Sequence, residues 1–107
     1  MKRGIPLFVY GTLRRLLRLR GLRPLGAAWI QGRLYDFGRY PGWRRGGSGS
    51  VAGELFPAPS ESLLRWIDEY EGHRFRRVQV LARRPQGDVL TAWAYEYTGS
   101  VGGVRRA

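Results

Sequence analysis

Hydrophobic and polar positions follow two rhythms along the chain, and each marks a kind of element. Residues 5–10 are a short apolar run with Pro6 near its start and Gly11 at its end, the profile of a buried strand. Thr12 then stands where a helix cap would, Leu13, Leu16 and Leu17 recur at i, i+3 and i+4, and Gly21 follows, which predicts a brief helix. Residues 27–37, "AAWIQGRLYDF", read as one strand with a glycine bulge at Gly32, ended by the turn residues of "GRYPG". "SVAGELF", residues 50–56, reads as a further strand stopped by the prolines of "PAPS".

The helical rhythm is strongest over residues 60–71, introduced by Pro59 and the Ser60-Glu61 pair and ended by Gly72. At about 100° per residue, Leu63, Leu64, Trp66, Ile67 and Tyr70 make one apolar face. Arg65 and Glu69 fall opposite and Asp68 at the edge. "FRRVQVLA" and "VLTAWAYEYTG" are strands joined by a turn at "RPQGD". In the second of these, Val89, Thr91, Trp93, Tyr95 and Tyr97 alternate with Leu90, Ala92, Ala94 and Glu96, so one face carries the bulk. Roughly five strands with one well-marked helix indicate an α+β domain with a curled or closed, antiparallel-rich sheet.

A chain of 107 residues is one domain, 1–107, with one core. Its 43% hydrophobic content separates it from disordered sequences. No apolar run approaches the roughly 20 residues that span a bilayer, and the N-terminal stretch lacks a small-residue cleavage site, so a cytoplasmic, untargeted protein without a membrane partner is expected. There is no cysteine and His73 is the only histidine, which leaves no thiolate chemistry and no ordinary ligand set for a metal. No cofactor is expected.

Charge adds a second possibility. With 19 basic and 8 acidic side chains the formal charge is +11, enough to attract polyanions whatever the fold. Lys2 is the only lysine, and the arginines are scattered, although Arg14, Arg15, Arg18, Arg20 and Arg23 cluster after the first strand. A non-catalytic basic module that binds nucleic acid or another polyanion is therefore the alternative to an enzyme, and weak, nonspecific nucleic-acid binding is an expected consequence of the charge. "RRGGSGS", residues 44–50, offers glycine amides beside arginines, but it lacks the Lys-Ser/Thr of a P-loop and the GxGxxG of a dinucleotide site and reads as a mobile connection.

One acid breaks the helical pattern. Glu71, four after Ile67 and seven after Leu64, falls on the apolar side of its helix. It also occupies the last turn, where the macrodipole disfavours an anion by about 0.3–1 kcal/mol. Both placements raise a carboxyl pKa, and local rules tend to fail at functional sites. Two readings follow: a catalytic carboxylate, or one paired with an arginine.

"YGTLR" at residues 10–14 and "DEYEG" at 68–72, with "GRLYDFGRYPG" and "VAGELF" between them, resemble in order the motifs of the γ-glutamylcyclotransferase-like, or AIG2-like, family. The resemblance implies a small mixed, antiparallel-rich β-barrel with one main packed helix and a site between the first loop and the helix end. It implies that a γ-glutamyl amine or peptide cyclises by attack of its own α-amine on the γ-carbonyl, releasing 5-oxoproline and a free amine, with Glu71 as catalytic acid/base. Tyr10, Gly11, Thr12 and Leu13 would bind the substrate. The partner implied is this small γ-glutamyl substrate, and the protein would be a monomer or homodimer. Two stretches depart from the family pattern: "LLRLRGLRPLG" replaces glycine and polar residues after the first motif, and Phe75 stands where a tyrosine often precedes arginine.

The residue types suit that reaction. An α-ammonium with a pKa near 7.7–8.0 cannot attack until it loses a proton, and a carboxyl raised to roughly 6–7 can take that proton and return it to the leaving amine. Nucleophile and electrophile share one molecule, so holding the ring-closing conformer removes part of the barrier. A strand that ends at Tyr10 and turns through Gly11, Thr12 and Leu13 would point successive N–H groups into one concavity, able to hold a carboxylate or a developing oxyanion. Gly11 would let the ligand approach without a β-carbon in its way. An ordinary turn is the other reading of the same tripeptide.

Overall fold

The continuous apolar run near the N-terminus becomes a strand buried on both faces. The computed structural model describes residues 4–107; residues 1–3, with Lys2 and the start of the stretch read as untargeted, lie outside the described residues. Ten elements follow in order: β1 (Leu7–Val9), α1 (Leu13–Leu19), β2 (Gly26–Gln31), β3 (Arg33–Asp36), β4 (Pro41–Arg44), β5 (Ser50–Phe56), α2 (Glu61–Glu71), β6 (Phe75–Arg83), β7 (Val89–Tyr97) and β8 (Arg105–Arg106).

Strands β1, β5, β2, β6 and β7 pair in that order, and β7 returns to β1 through Leu7 and Trp93, which closes a five-stranded barrel. β4, β3 and β8 extend the sheet beyond β7. The β1–β7 and β4–β7 pairings are parallel and the others antiparallel, so the fold is α+β with a mixed, antiparallel-rich barrel. Closure leaves the five barrel strands without a free edge, and the sheet ends instead at β8 of the extension.

The hydrophobic residues form two clusters. Phe8, Ile30, Trp43, Leu55, Ala92 and Ala94 belong to one, and Leu7, Leu13, Leu17, Phe56, Ile67 and Tyr95 to the other, where both helices meet the sheet. β1 contributes to both, with Phe8 to the first and Leu7 and Val9 to the second. Its burial on both faces is why its sequence shows no alternation.

The structure revises several expectations. Residues 27–37 are two strands, because Gly32 takes φ +147° and a β-carbon there would overlap the Trp43 indole nitrogen and the Arg44 carbonyl. Pro41 and Gly42, read as part of a turn, open strand β4. The brief helix expected after Thr12 forms as α1, but Thr12 precedes it without a side-chain capping bond. Ser60 does cap α2, its Oγ accepting from the Leu63 N–H at 3.2 Å. On β7 the small residues Ala92 and Ala94 belong to the same cluster as Phe8 and Trp43, and the bulkier Trp93 and Tyr95 pack with the helices. Tyr70, placed on the apolar face by periodicity, is 47% exposed and stacks on Trp66 with centroids 5.5 Å apart.

The glycine-rich connection is anchored. The Gln31 side-chain amide donates to the Gly47 carbonyl at 2.6 Å, Gly32 N–H donates to the Gly49 carbonyl, and Arg45 binds the buried Glu96 carboxylate through its backbone N–H and its Nε.

Candidate active site

The end of β1 and the end of α2 meet across a cavity of about 420 Å³, within the range that holds small organic ligands. Tyr10, Gly11, Thr12 and Leu13 line it on one side and Tyr70, Glu71 and Gly72 on another, with Tyr40, Pro41, Phe75 and Tyr95 completing the wall. All five residues singled out from the sequence therefore border one space.

The loop owes its shape to the strand ending at Val9 and the helix starting at Leu13. The Gly11 and Thr12 carbonyls accept from the Arg14 and Arg15 N–H groups at 3.1 Å, which begins the first turn of α1. Among the described residues the N–H groups of Gly11, Thr12 and Leu13 have no protein acceptor, so three adjacent donors remain available to a ligand. A β-carbon on Gly11 would lie 3.4 Å from Pro41 Cγ. That is an ordinary contact distance, so packing against Pro41, on the opposite rim, does not by itself require glycine at this position.

Tyr10 is occupied by the protein itself. Its hydroxyl donates to the Tyr95 carbonyl at 2.7 Å and accepts from the Trp43 N–H at 3.0 Å, tying β1 to β7 and β4. Burial holds this phenol well above the usual tyrosine range, and the charge on Glu71 adds to the shift. Tyr10 therefore offers a ligand its ring and backbone, while its hydroxyl fixes the loop.

Glu71 makes none of the four ion pairs among the described residues, so it is not paired with an arginine there. Burial pushes its carboxyl up to about 7. Its helix end is closed by hydrogen bonds: Gly72 N–H donates to the Asp68 carbonyl at 3.1 Å, and Phe75 N–H donates to the Gly72 carbonyl at 3.2 Å. One turn earlier, the Asp68 carboxylate accepts from the Tyr95 hydroxyl at 2.5 Å and from Arg77 Nε at 3.0 Å, and the Arg77 guanidinium lies 4.4 Å over the Trp93 ring. Two adjacent strands thus grip the helix just before Glu71.

Periodicity alone did not single out this grip. The available signal was the spacing of Asp68 and Glu71, three apart and hence on neighbouring positions of the same helix surface. The rim residues Tyr40 and Pro41 were read only as turn formers. His73 and Arg74 are exposed and also border the cavity. Of the arginines after β1, Arg18 pairs with Glu54 at 2.6 Å and Arg20 lies over the Trp66 ring at 4.0 Å, while Arg14, Arg15 and Arg23 are exposed. "RRGGSGS" contributes nothing to the cavity lining.

Comparison with known proteins shows the family and the fold. Residues 7–106 match the family model described as "Gamma-glutamyl cyclotransferase, AIG2-like". An uncharacterized protein from Pyrococcus horikoshii is 28% identical with a TM-score of 0.72, over 97% of this chain and 86% of its own. An AIG2-like protein from Mus musculus shares the fold at a TM-score of 0.82 and 19% identity, over 99% of this chain and 87% of its own. A structure named gamma-glutamyl cyclotransferase does so at 0.71 and 17%, over 95% and 69%. No curated protein matches the sequence significantly.

Proposed function

The chain belongs to the gamma-glutamyl cyclotransferase, AIG2-like family, and on that premise we propose that it converts a γ-glutamyl amine or peptide into 5-oxoproline and the free amine. The observation that carries this reading is Glu71, partly buried and unpaired, bordering the same cavity as three unsatisfied backbone donors.

The steps use only groups already described. The Glu71 carboxylate takes a proton from the substrate's α-ammonium, and the freed amine attacks the γ-carbonyl carbon, forming the ring C–N bond. The carbonyl oxygen gains negative charge, which the Gly11, Thr12 and Leu13 N–H groups stabilise. Glu71 then gives its proton to the departing nitrogen and takes one from the ring nitrogen as the old C–N bond breaks. Transfer of that proton to the released amine restores the carboxylate. A carboxyl near 7 suits both directions of transfer, since an ordinary glutamic acid would be too weak a base.

The test is release of 5-oxoproline from γ-glutamyl amides and peptides. Glu71→Gln, which keeps the shape and removes the titrating group, is expected to lower kcat by at least about 100-fold with the circular-dichroism spectrum unchanged. A Glu71→Gln protein with full activity would exclude this chemistry.

A further inference from the structure

The wall of the cavity away from the amide loop is aromatic. Tyr40 and Phe75 face each other with centroids 5.9 Å apart, and both belong to a cluster in which Phe37 lies 4.3 Å from Tyr97 and 5.5 Å from Tyr40. Tyr97 backs Phe75 edge-on at 5.4 Å. The Phe37 N–H donates to the Tyr40 carbonyl at 3.1 Å and closes the turn that carries Tyr40, while Pro41 begins β4. The rings are thus held by the sheet and do not hang from a free loop. Yet Tyr40 is 37% exposed, and the exposed Tyr70 also borders the same space.

The charges around the cavity are equally one-sided. Among the described residues Glu71 is its only acidic lining residue, and His73 and Arg74 also border it on a chain of formal charge +11. A cationic leaving amine would find no carboxylate except the one that handles the proton. With the polar groups of a glutamyl substrate seated at the amide loop and Glu71, the space left for the leaving amine would be bounded by Tyr40, Phe75, Tyr70 and Pro41, with Gly72, His73 and Arg74 at its border. Resting on the cyclotransferase reading of this same cavity, we propose that the site selects γ-glutamyl amides whose leaving amine carries an uncharged aromatic group, seated against Tyr40 and Phe75. Offset or edge-on ring contacts add to simple burial, and an aliphatic amine cannot make them.

Three substrates separate the possibilities: γ-glutamyl benzylamide, γ-glutamyl butylamide and γ-glutamyl 5-aminopentylamide. Binding is measured by calorimetry on Glu71→Gln, expected to turn them over at least about 100-fold more slowly, and 5-oxoproline release is measured on the unaltered protein. The benzylamide is expected to bind about tenfold more tightly than either of the others. Tyr40→Ala, and Tyr40→Leu as a variant that keeps apolar bulk at the rim, should reduce that preference to about twofold or less. Equal affinities, a preference for the cationic amide, or a preference that survives both Tyr40 variants overturns the aromatic seat. Release from all three at equal kcat/KM also overturns it while leaving the cyclotransferase reading intact. Release from none removes the cyclotransferase reading, and the binding order still decides the seat.

Discussion

The Tyr95 hydroxyl donates to Asp68 at 2.5 Å, three residues ahead of Glu71 on the same helix. Arg77 binds the same carboxylate through both Nε and Nη2, so β6 and β7 together fix the last turn of α2 against the barrel. Asp68 is therefore a positioning residue for Glu71. Asp68→Ala strands a phenol and a guanidinium, and a loss of about 1–2 kcal/mol in urea denaturation is expected. The sharper readout is kinetic. Small misplacements of a reacting group cost on the order of 100-fold, so kcat should fall far more than KM rises. Asp68→Asn keeps an acceptor for Tyr95 and should recover part of the loss. If Asp68→Ala has wild-type kcat, the grip has no catalytic consequence.

Glu71 makes stability depend on pH in a direction opposite to most acids. Its folded carboxyl is pushed from 4.5 up to about 7 by burial, so between those values the folded protein holds a proton that the unfolded chain has released. Stability therefore falls as pH rises through this window, by about 3 kcal/mol at most, and the penalty is complete above pH 7. Glu71→Gln never carries the charge. Urea titrations at pH 4, 6 and 8 should show the variant gaining on the parent protein as pH rises, with little difference at pH 4. A constant difference across all three would mean that Glu71 titrates like an exposed acid.

Much of this arrangement was legible in the sequence, and what was missed shares a physical cause. The apolar face of α2 and its break at Glu71 follow from helical geometry within one segment, as do the cap at Ser60 and the stop at Gly72. The "YGTL" loop was likewise local. The grip on Asp68 joins residues 9 and 27 positions apart, and the rim residue Pro41 meets Gly11 from a distant strand. Periodicity carries no information about such pairings. The exposure of Tyr70 shows the same limit: 100° spacing gives the direction of a side chain but cannot say that a cavity lies there. β7 was read with the right alternation, and only closure of the sheet decided that its alanines, not its aromatics, would pack with Phe8 and Trp43.

Tyr10 provides a test of the loop that does not touch Glu71. Tyr10→Phe retains the ring but leaves the Trp43 N–H without its acceptor and the Tyr95 carbonyl without its donor. Part-buried polar groups left unpaired cost about 1–3 kcal/mol, so the thermal midpoint should drop clearly. Because the hydroxyl is held by the protein and not offered to a ligand, activity measured well below that midpoint should fall modestly, by less than about tenfold. A loss comparable to that of Glu71→Gln, with stability unchanged, would instead make the hydroxyl a direct participant.

Gly53 tests the link between the barrel and the cavity. It is buried in β5, paired with Ala28 of β2, and a β-carbon there would overlap the Val9 carbonyl and come within 2.6 Å of Phe8 Cζ. Neither neighbour can give way freely, since Val9 is part of the β1–β5 ladder and Phe8 is only 1% exposed. Gly53→Ala should thus cost about 1–3 kcal/mol by overpacking, despite adding a single methyl group. Phe8 also borders the cavity, and β1 leads directly into the amide loop, so the displacement reaches the site by the shortest path in the fold. The expected result is a lower urea midpoint together with reduced kcat/KM measured under fully folding conditions. A stability loss with unaltered kcat/KM would mean that the barrel absorbs the methyl group by moving β5 alone, leaving Phe8 and the loop in place.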